Sequence, residues 1–406
     1  MVLDLLAGLR VVECSAFVAA PLCGNTLGYF GADVIRIDPL QGGLDYRRWP
    51  VNAMGGSIYW AGLNNAKRSV AIDLRSQEGK DLARAIVTAP GPDAGIFSTN
   101  LAPAWASYAD LCALRPDLIM LSIEGHPDGR SAVDYTANVE TGLPYITGTG
   151  STDAPVSHSL PAWDLTTGLY GALALVSAEG RRRRSGRGAH IRLALSDVAF
   201  AMMATLGYTG EVEINGSGRE AVGNYVYGTF GRDFITRDGG RIMIVAVTSR
   251  QWQSLCRATG LEAVMAEEGA KASLDFAREG DRFLGRETIA THLSLWCGAR
   301  GLPEINAVFE GTGVCWGAYR SVTEAVRNDP RFAGSSDLVF QKVDHAGVGR
   351  MTSAGPAIRI EDEARDPIPS VPLLGEHTRE VLSELLSLPD PEIDRLRDRG
   401  IIAEAR

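Results

Sequence analysis

The chain has 406 residues, of which 45% are hydrophobic and 22% are charged, and this composition is that of an ordinary globular protein. Its formal net charge of −9 argues against nucleic-acid binding as the main role, because a protein that follows a phosphate backbone carries an excess of Lys and Arg. We see no signal-peptide pattern and no apolar run near the roughly 18 residues that span a bilayer, so we expect a cytoplasmic protein without a membrane partner.

The first 125 residues alternate between strand patterns and helix patterns. Short runs of branched apolar residues are separated by stretches with apolar residues at helical spacing. This alternation predicts an α/β fold with parallel strands and right-handed crossovers. The predicted strands are 10–13, 32–38, 68–73, 93–100 and 117–125, and the predicted helices are 21–31 and 78–87.

A long helix is predicted to begin at Asp164, in the segment LPAWDLTTGLYG, and to run to about Glu179. Capping is the commoner role for an Asp at such a place, because its carboxylate accepts the free amide protons of the first turn. The alternative is a nucleophile whose charged form is favoured by the helix dipole. The local sequence leaves both interpretations open.

A second, smaller unit is predicted in the middle of the chain. We place the first domain at 1–210, a polar and Gly-rich linker at 211–224, the small α+β domain at 225–332, and a returning segment at 333–406 that completes the first domain. The four arginines at 181–184 follow the helix, and we assign them a surface role. The other predicted elements are a strand at 190–197, a helix at 198–208, a hairpin at 225–247 that turns at Arg237-Asp238-Gly239-Gly240, helices at 249–260 and 283–298, a closing segment at 313–330, and two amphipathic helices in 371–402.

No pattern predicts a bound dinucleotide or a metal ion. The loop after the first strand, CSAFVAAPLCG, has Ala19, Ala20 and Pro21 where a dinucleotide-binding motif needs glycines. The six histidines lack metal-ligand spacing, and a G-x-S-x-G nucleophile elbow is absent. The cysteines stand singly, at 14, 23, 112, 256, 297 and 315, and we expect reduced thiols.

Two pairs of basic residues stand in predicted loops, Arg47 with Arg48 and Lys67 with Arg68. Arg and Lys bind phosphate groups, so at least one pair is a candidate contact for a phosphorylated ligand, the alternative being a solvated face. The candidate reactive groups are the carboxylates around the Gly-rich stretch 141–151, namely Asp134, Glu140, Asp153 and Asp164.

Several segments together resemble the family III CoA-transferases, the group that also contains α-methylacyl-CoA racemase. The segments are 6–38, 64–79, the surroundings of Asp164, 185–197, 227–244 and 373–382. The resemblance implies a Rossmann-like large domain built from separate stretches of the chain and a smaller α+β domain between them. It also implies a homodimer in which two such chains pass through each other as interlocked rings.

The resemblance also implies the site. Asp164 falls on the family's catalytic Asp, and its helix start would support both the carboxylate and a developing oxyanion. Coenzyme A is implied as part of the substrate, with no permanently bound cofactor. Asp38 is followed by Pro39 where the family has an Arg, a phosphate contact for which Arg47 or Arg48 is the substitute. The implied CoA contacts are Val18, Ala19, Arg47, Arg48, Leu74, Asn100, Leu101 and Ile123, with Leu101 in the place of a family Phe.

The activity that the resemblance implies is CoA transfer between carboxylates through an aspartyl-CoA thioester on Asp164. We expect both carboxylates to belong to one methylated four-carbon dicarboxylate, with Arg47, Arg48 or an Arg of a partner subunit at the free end. The alternatives are transfer to a second acid, racemisation of a 2-methylacyl-CoA, and CoA binding without turnover. Val133 stands where the racemases have a His, with His126 upstream as the one substitute.

Overall fold

The computed structural model describes residues 3–148, 154–333, 339–361 and 365–405. The chain divides into two units, the first made of Met1–Thr141, His158–Thr209 and Asp329–Arg406, and the second of Gly142–Ser157 and Gly210–Asn328. The domain limits given above stay a prediction. The units differ from it in that 142–157 and the predicted linker group with the second unit, and in that this unit ends at Asn328.

Strands and helices are numbered in chain order. The strands are β1 (Arg10–Cys14), β2 (Asp33–Asp38), β3 (Arg68–Ile72), β4 (Ile96–Thr99), β5 (Ile119–Glu124), β6 (Ala189–Ala194), β7 (Phe230–Ile235), β8 (Arg241–Ala246), β9 (Cys315–Ala318), β10 (Phe340–His345), β11 (Gly349–Ala354) and β12 (Ile402–Ala403). The first helices are α1 (Ala19–Tyr29), α2 (Ile58–Asn64), α3 (Gln77–Thr88), α4 (Tyr108–Leu114), α5 (Asp134–Glu140), α6 (Leu143–Ile146), α7 (Ala162–Ser185), α8 (Leu195–Thr205) and α9 (Tyr208–Asn215). The others are α10 (Ser249–Thr259), α11 (Glu262–Ala272), α12 (Glu279–Leu284), α13 (Arg286–Gly298), α14 (Leu302–Phe309), α15 (Val322–Asn328), α16 (Thr378–Leu386) and α17 (Asp390–Asp398), with a short 3₁₀ turn at Pro330–Phe332. None of these helices has both the length and the apolar character that crossing a bilayer takes.

The first unit is organised by a sheet whose described strands run in the order β12-β3-β2-β1-β4-β5-β6. Strands β1 to β6 pair in parallel, which confirms the predicted parallel α/β sheet, and β12 pairs antiparallel with β3. In a doubly wound sheet of this order, the chain reverses direction across the sheet between β1 and β4. A crevice therefore opens outside the carboxyl ends of these two strands.

Both faces of this sheet are covered by helices. Because side chains alternate along a strand, Val11 and Val12 of β1 point to opposite faces. Val11 belongs to an apolar cluster with residues of α1 and α7, and Val12 to one with residues of α3, α16 and α17. The sheet therefore fixes the position of α7, which carries Asp164.

The second unit has its own sheet and its own core. Its described strands β7, β8 and β9 form an antiparallel sheet, and the predicted hairpin is confirmed, because Ile235 pairs with Arg241 across the turn. The apolar cluster on this sheet includes Phe230, Trp252 and Leu293. A three-stranded sheet with a helix-covered apolar face is enough for a separate core.

One local prediction is wrong. Helix α7 continues to Ser185, so the four arginines lie in its last turns, and Arg182 is only 4% exposed and pairs with Glu179 at 2.5 Å. A surface role is therefore wrong for Arg182. Helix α9 extends from Tyr208 into the first five residues of the predicted linker, 211–215.

Gly168 provides a test of the contact between α7 and α1. A Cβ added there would stand 2.7 Å from the Ala19 carbonyl oxygen, whereas a Cβ added to Gly180 on the same helix would have its nearest neighbour, Arg184 Nη1, at 3.6 Å. Overpacking costs about 1–3 kcal/mol and the better helix propensity of Ala returns about 1 kcal/mol. We expect Gly168→Ala to lower the free energy of unfolding in urea by up to about 2 kcal/mol and Gly180→Ala to raise it. Equal effects of the two substitutions would contradict this close helix contact.

Candidate active site

The loops that follow β1 and β4 are tied together at the crevice by one side chain. Asn100, directly after β4, accepts a hydrogen bond from the Ala16 amide at 2.9 Å and donates one to the Ala16 carbonyl at 2.8 Å. This pair of bonds closes the gap between the two strands at the point where the topology opens it. Asn100 therefore has a structural function that accounts for its place at the strand end.

A cavity of about 570 Å³ lies at this edge of the sheet. Of the residues singled out in the sequence, it brings together Ala19, Asn100, Leu101, Ile123 and Asp164, and it also brings His126 and Val133 to the same wall. Such a cavity is large enough for a small organic group. The carboxylate of Asp164 is half-buried, so the cavity combines an acid with an apolar wall.

Asp164 does not cap its helix, so the capping interpretation is wrong. Helix α7 begins at Ala162, and the cap is supplied by Asp134 at the start of α5. Asp134 Oδ2 accepts hydrogen bonds from the amides of Trp163 at 2.7 Å and of Asp164 at 3.0 Å. The carboxylate of Asp134, on another helix, thus accepts hydrogen bonds from amides that would otherwise lack a partner. The Asp164 side chain is therefore not needed as a cap.

The amides at the start of α7 all have partners within the protein. Besides the two held by Asp134, Ala162 bonds to the Leu160 carbonyl and Leu165 to the Pro161 carbonyl. The expectation that these amides stabilise a developing oxyanion is therefore not met in this geometry.

Asp134 is itself held in place. It is 1% exposed, and its other oxygen, Oδ1, lies 2.6 Å from His158 Nε2. The Trp163 indole donates to Asn138 Oδ1 on α5 at 3.0 Å. The start of α7 is therefore fixed against α5 by three side chains, and the position of Asp164 follows from them.

The surroundings raise the pKa of Asp164 to about 6. Burial is the largest cause, and the negative charge of Asp134 adds to it, while the positive charge of Arg48 opposes both. We expected the start of the helix to favour the charged form of Asp164. The effects of burial and of the Asp134 charge are larger and favour the neutral form. A carboxyl group of this pKa is still mostly ionised at pH 7.

The guanidinium of Arg48, an exposed residue, lies over two aromatic rings. Its guanidinium carbon is 5.2 Å from the centroid of Phe17 and 5.4 Å from that of Tyr59. Phe17 lines the cavity, and the Tyr59 hydroxyl is buried without a hydrogen-bond partner among the described residues. Burial raises the pKa of Tyr59 to about 12, so its hydroxyl remains a donor.

A buried ion cluster, which we call the Arg36 cluster, consists of Glu13, Arg36, Asp38, Asp45 and Lys67. Arg36 lies 2.9 Å from Asp38, 3.2 Å from Glu13 and 3.2 Å from Asp45, and Lys67 lies 2.7 Å from Glu13. All five residues are less than 10% exposed. The cluster joins the ends of β1 and β2 to the loop that carries Arg47 and Arg48.

The basic pair Lys67 and Arg68 does not face the cavity. Lys67 belongs to the Arg36 cluster, and Arg68 pairs with Asp33, Glu380 and Glu384. Both cations form ion pairs within the fold and line a separate cavity of about 540 Å³, so the structure does not bring this pair to the cavity at Asp164. Arg47 lines a different cavity, of about 450 Å³, together with Tyr46 and Trp60.

Leu74 lies in a third cavity, of about 380 Å³, which also includes Pro39 and Trp105. Leu101 lines both this cavity and the one at Asp164, so the two adjoin. Val18 is the residue before α1 and is half-buried next to Ala19. Asp153 and residues 149–151 of the Gly-rich stretch lie outside the described residues.

His126 lies in the cavity wall but is 5% exposed and has Glu140 at 3.4 Å. Glu140 is thereby the partner of His126 rather than a second reactive acid. No group of three His, Cys, Asp or Glu side chains within the described ranges could hold a metal ion.

Sequence reasoning missed four residues that shape the site: Phe17, Asp45, Tyr59 and His158. Aromatic residues near the double Arg, in RRWP and IYWAGLN, were a usable signal, because guanidinium groups stack on such rings. No local signal exists for Phe17, whose φ of +68° is unusual for a bulky residue.

Comparison with known proteins gives a consistent result. A family model described as CoA-transferase family III matches residues 6–378. The chain is 48% identical over 401 residues to 2-methylfumaryl-CoA isomerase of Chloroflexus aurantiacus, with 98% of each chain covered. It is 27% identical to succinyl-CoA:glutarate CoA-transferase of Mus musculus, over 98% of this chain and 90% of that one. A CAIB/BAIF family protein from Brucella suis has a similar structure, with a TM-score of 0.75 at 27% identity, covering 94% of this chain and 99% of that one.

Removing the charge of Asp134 tests its effect on Asp164. We expect Asp134→Asn to bring the pKa of Asp164 below its value of about 6, because one of the two causes that raise it is lost. The measurement is a ¹³C NMR titration of aspartate-labelled protein, with the Asp164 signal assigned from its loss in Asp164→Asn. Asp81→Asn, which changes an exposed residue of α3, is the control. An Asp164 pKa that shifts equally in both variants would contradict a local interaction between Asp134 and Asp164.

Proposed function

The chain belongs to CoA-transferase family III, and on that basis we propose that it converts 2-methylfumaryl-CoA (mesaconyl-CoA) into 3-methylfumaryl-CoA by moving CoA between the two carboxyl groups of one acid. The observation that carries the proposal is the half-buried carboxylate of Asp164 on the wall of a cavity at the sheet's reversal point. The name of the relative at 48% identity supports the choice of substrate.

The proposed reaction has two matching halves. Asp164 attacks the thioester carbonyl, giving a mixed anhydride and CoA thiolate. The thiolate attacks the Asp164 side of the anhydride, which leaves an aspartyl-CoA thioester and free mesaconate. The other carboxylate of mesaconate then attacks the enzyme thioester, and the thiolate released attacks the substrate carbonyl of the second anhydride, which frees Asp164 and the product.

The chemistry of the cavity suits such a reaction. The thioester substrate and product are nearly equal in energy, so the protein has mainly to hold the reacting groups and exclude water. The apolar wall supports exclusion, and the raised pKa of Asp164 reflects the same removal from water.

We place the CoA moiety across the two adjoining cavities. The acyl thioester would lie at Asp164 beside Ala19 and Ile123, and the nucleotide would extend past Leu101 toward Leu74. Val18, Asn100 and Arg47 remain candidate contacts, and no permanently bound cofactor is part of the proposal. The cytoplasm is the proposed compartment, because the six cysteines are all free in the structure.

We further propose the homodimer, with the large Rossmann-like domains of two interlocked chains. Helix α7 presents Leu169, Leu173 and Val176 on one side, and they are 54%, 62% and 37% exposed. Their spacing makes one continuous apolar stripe, which is unusual for an exposed surface and typical of an interface between subunits.

The isomerase is tested by incubating the protein with 2-methylfumaryl-CoA alone and separating the CoA esters by chromatography. We expect the 3-methyl isomer without added acid, and we expect Asp164→Asn to reduce turnover at least about 10³-fold, because the covalent route is lost. Hydroxylamine should trap Asp164 during turnover of the wild type. The matched control is Asp197→Asn, which changes an exposed Asp at the third position of α8, as Asp164 is the third residue of α7.

Other outcomes would replace the proposal. Product that forms only after a second carboxylic acid is added would make the protein an intermolecular transferase. Deuterium that enters the α-carbon of a 2-methylacyl-CoA from heavy water would make it a racemase. We also expect kcat/KM to fall as the pH falls through about 6, because protonated Asp164 is no nucleophile.

The dimer is tested by analytical ultracentrifugation of the full chain. We expect a dimer for the wild type and loss of dimer for Leu173→Glu, because a charge would be buried in the apolar stripe. Leu114→Glu changes a similarly exposed leucine at the end of α4 and should leave the dimer intact. A monomeric wild type would refute the proposal.

A further inference from the structure

This inference rests on the proposed function and concerns the carboxylate that is not esterified. A dicarboxylate substrate keeps one negative charge throughout the reaction, and removing an unpaired charge from water is costly. In addition, mesaconate is not covalently bound between the two half-reactions. It has to stay in the pocket until its other carboxylate faces the enzyme thioester. A cation near Asp164 would serve both needs.

Two arginines, Arg130 and Arg192, line the cavity, and the guanidinium of Arg48 lies next to it, over the ring of the lining residue Phe17. Arg192 makes two hydrogen bonds to Glu124, at 2.8 and 2.6 Å, and Arg130 pairs with Asp128 at 2.7 Å. Arg48 makes no ion pair in the part of the chain that the structure describes, and its charge acts on Asp164. Arg48 is therefore the cation whose guanidinium edge is available to a substrate.

The backbone of Arg48 is fixed from two sides. Its amide donates to the Asp45 carbonyl at 3.0 Å, and its carbonyl accepts from the Ser57 hydroxyl at 2.6 Å. Ser57 also caps α2, accepting from the Trp60 amide at 3.0 Å, and α2 carries Tyr59. Arg48 and Tyr59 are thus held by the same residue.

The ring of Phe17 completes the arrangement at a cost in backbone energy. Its φ of +68° is a left-handed conformation, which costs roughly 1–2 kcal/mol for a residue with a side chain. The Phe17 amide donates to Asp45 Oδ2 at 3.0 Å, and this bond stabilises the strained conformation. Strain of this kind is typical of sites where a side chain must point in one direction.

We propose that Arg48, whose guanidinium lies over the rings of Phe17 and Tyr59, binds the free carboxylate of the substrate and retains mesaconate between the two half-reactions. The planar guanidinium offers two parallel N–H donors to a carboxylate, and the buried Tyr59 hydroxyl, which lacks a partner among the described residues, is a third donor. After transfer, the newly freed carboxylate takes the same place, so one cation serves both ends of the acid. Retention by Arg48 is what makes the reaction intramolecular.

The experiment measures how often mesaconate leaves the active site between the two half-reactions. The protein turns over 2-methylfumaryl-CoA in the presence of excess ¹³C-mesaconate, and the CoA esters are analysed by mass spectrometry. We expect no label in the product of the wild type. We expect Arg48→Gln to lower kcat/KM about 10- to 100-fold and to let label enter the product, because a charge-assisted bond pair is lost. Arg48→Lys, which keeps the charge without the planar fork, should leak less than Arg48→Gln.

Arg47→Gln is the comparison variant, because its cation is adjacent in sequence but lines another cavity. The product formed by Arg47→Gln should contain no label, whether or not the substitution changes the affinity for the CoA ester. Label in Arg47→Gln but not in Arg48→Gln, or an Arg48→Gln variant that behaves as the wild type, would overturn the assignment. Label in the wild-type product would overturn retention.

A binding measurement separates this inference from the proposed function. Titration of the CoA-loaded protein with mesaconate should show at least about tenfold weaker binding for Arg48→Gln than for the wild type. If the wild type fails to isomerise, the proposed function fails, and this titration still decides whether Arg48 binds a dicarboxylate. Equal affinities would refute that role.

Discussion

The buried guanidinium of Arg36 is the interaction on which the site depends. It is 1% exposed, binds three carboxylates, and stacks 4.2 Å from the ring centroid of Trp60. Two cations and three acids are removed from water in the Arg36 cluster, so loss of one partner leaves an uncompensated charge and costs about 3–5 kcal/mol. Through Asp45, the cluster fixes Phe17 on one side and the backbone of Arg48 on the other. The geometry of the pocket at Asp164 is therefore set by ions that do not line it.

Asp134 and Asp164 show how two carboxylates in contact with the same helix start acquire different functions. Asp134 is buried, and both of its oxygens have partners. Oδ2 accepts hydrogen bonds from two amides of α7, and Oδ1 is in contact with His158. Asp164 lacks those bonds and faces a cavity, and the charge of its neighbour makes it easier to protonate. The cap and the nucleophile were alternatives for one residue in the sequence; the structure gives the cap to Asp134, and the nucleophile remains the proposed role of Asp164.

The sequence predicted what depends on local pattern. The parallel strands, the hairpin before Arg241 and the helix that carries Asp164 all follow from periodicity and turn residues, and the family follows from motifs spread over the chain. The cap could not be predicted, because Asp134 and Asp164 are brought together by the packing of α5 on α7. Likewise, Arg47 and Arg48 are neighbours in sequence, and only the fold places Arg47 at a separate cavity and Arg48 over the rings of Phe17 and Tyr59. Arg68 looked like a ligand contact because its carboxylate partners Glu380 and Glu384 lie more than 300 residues away, the latter 316 positions along the chain.

The pairing of β12 with β3 has a consequence for how the protein is made. Strand β3 emerges early during synthesis, with an unpaired edge that invites association with other chains. The residues that cover it, α16, α17 and β12, are translated only after the whole second unit. The first sheet is therefore left open at one side while an independent core folds in between, and a nascent chain on the ribosome carries an exposed edge for most of its synthesis. Residues 402–403 thus complete, late in synthesis, the sheet against which α7, the helix that carries Asp164, packs.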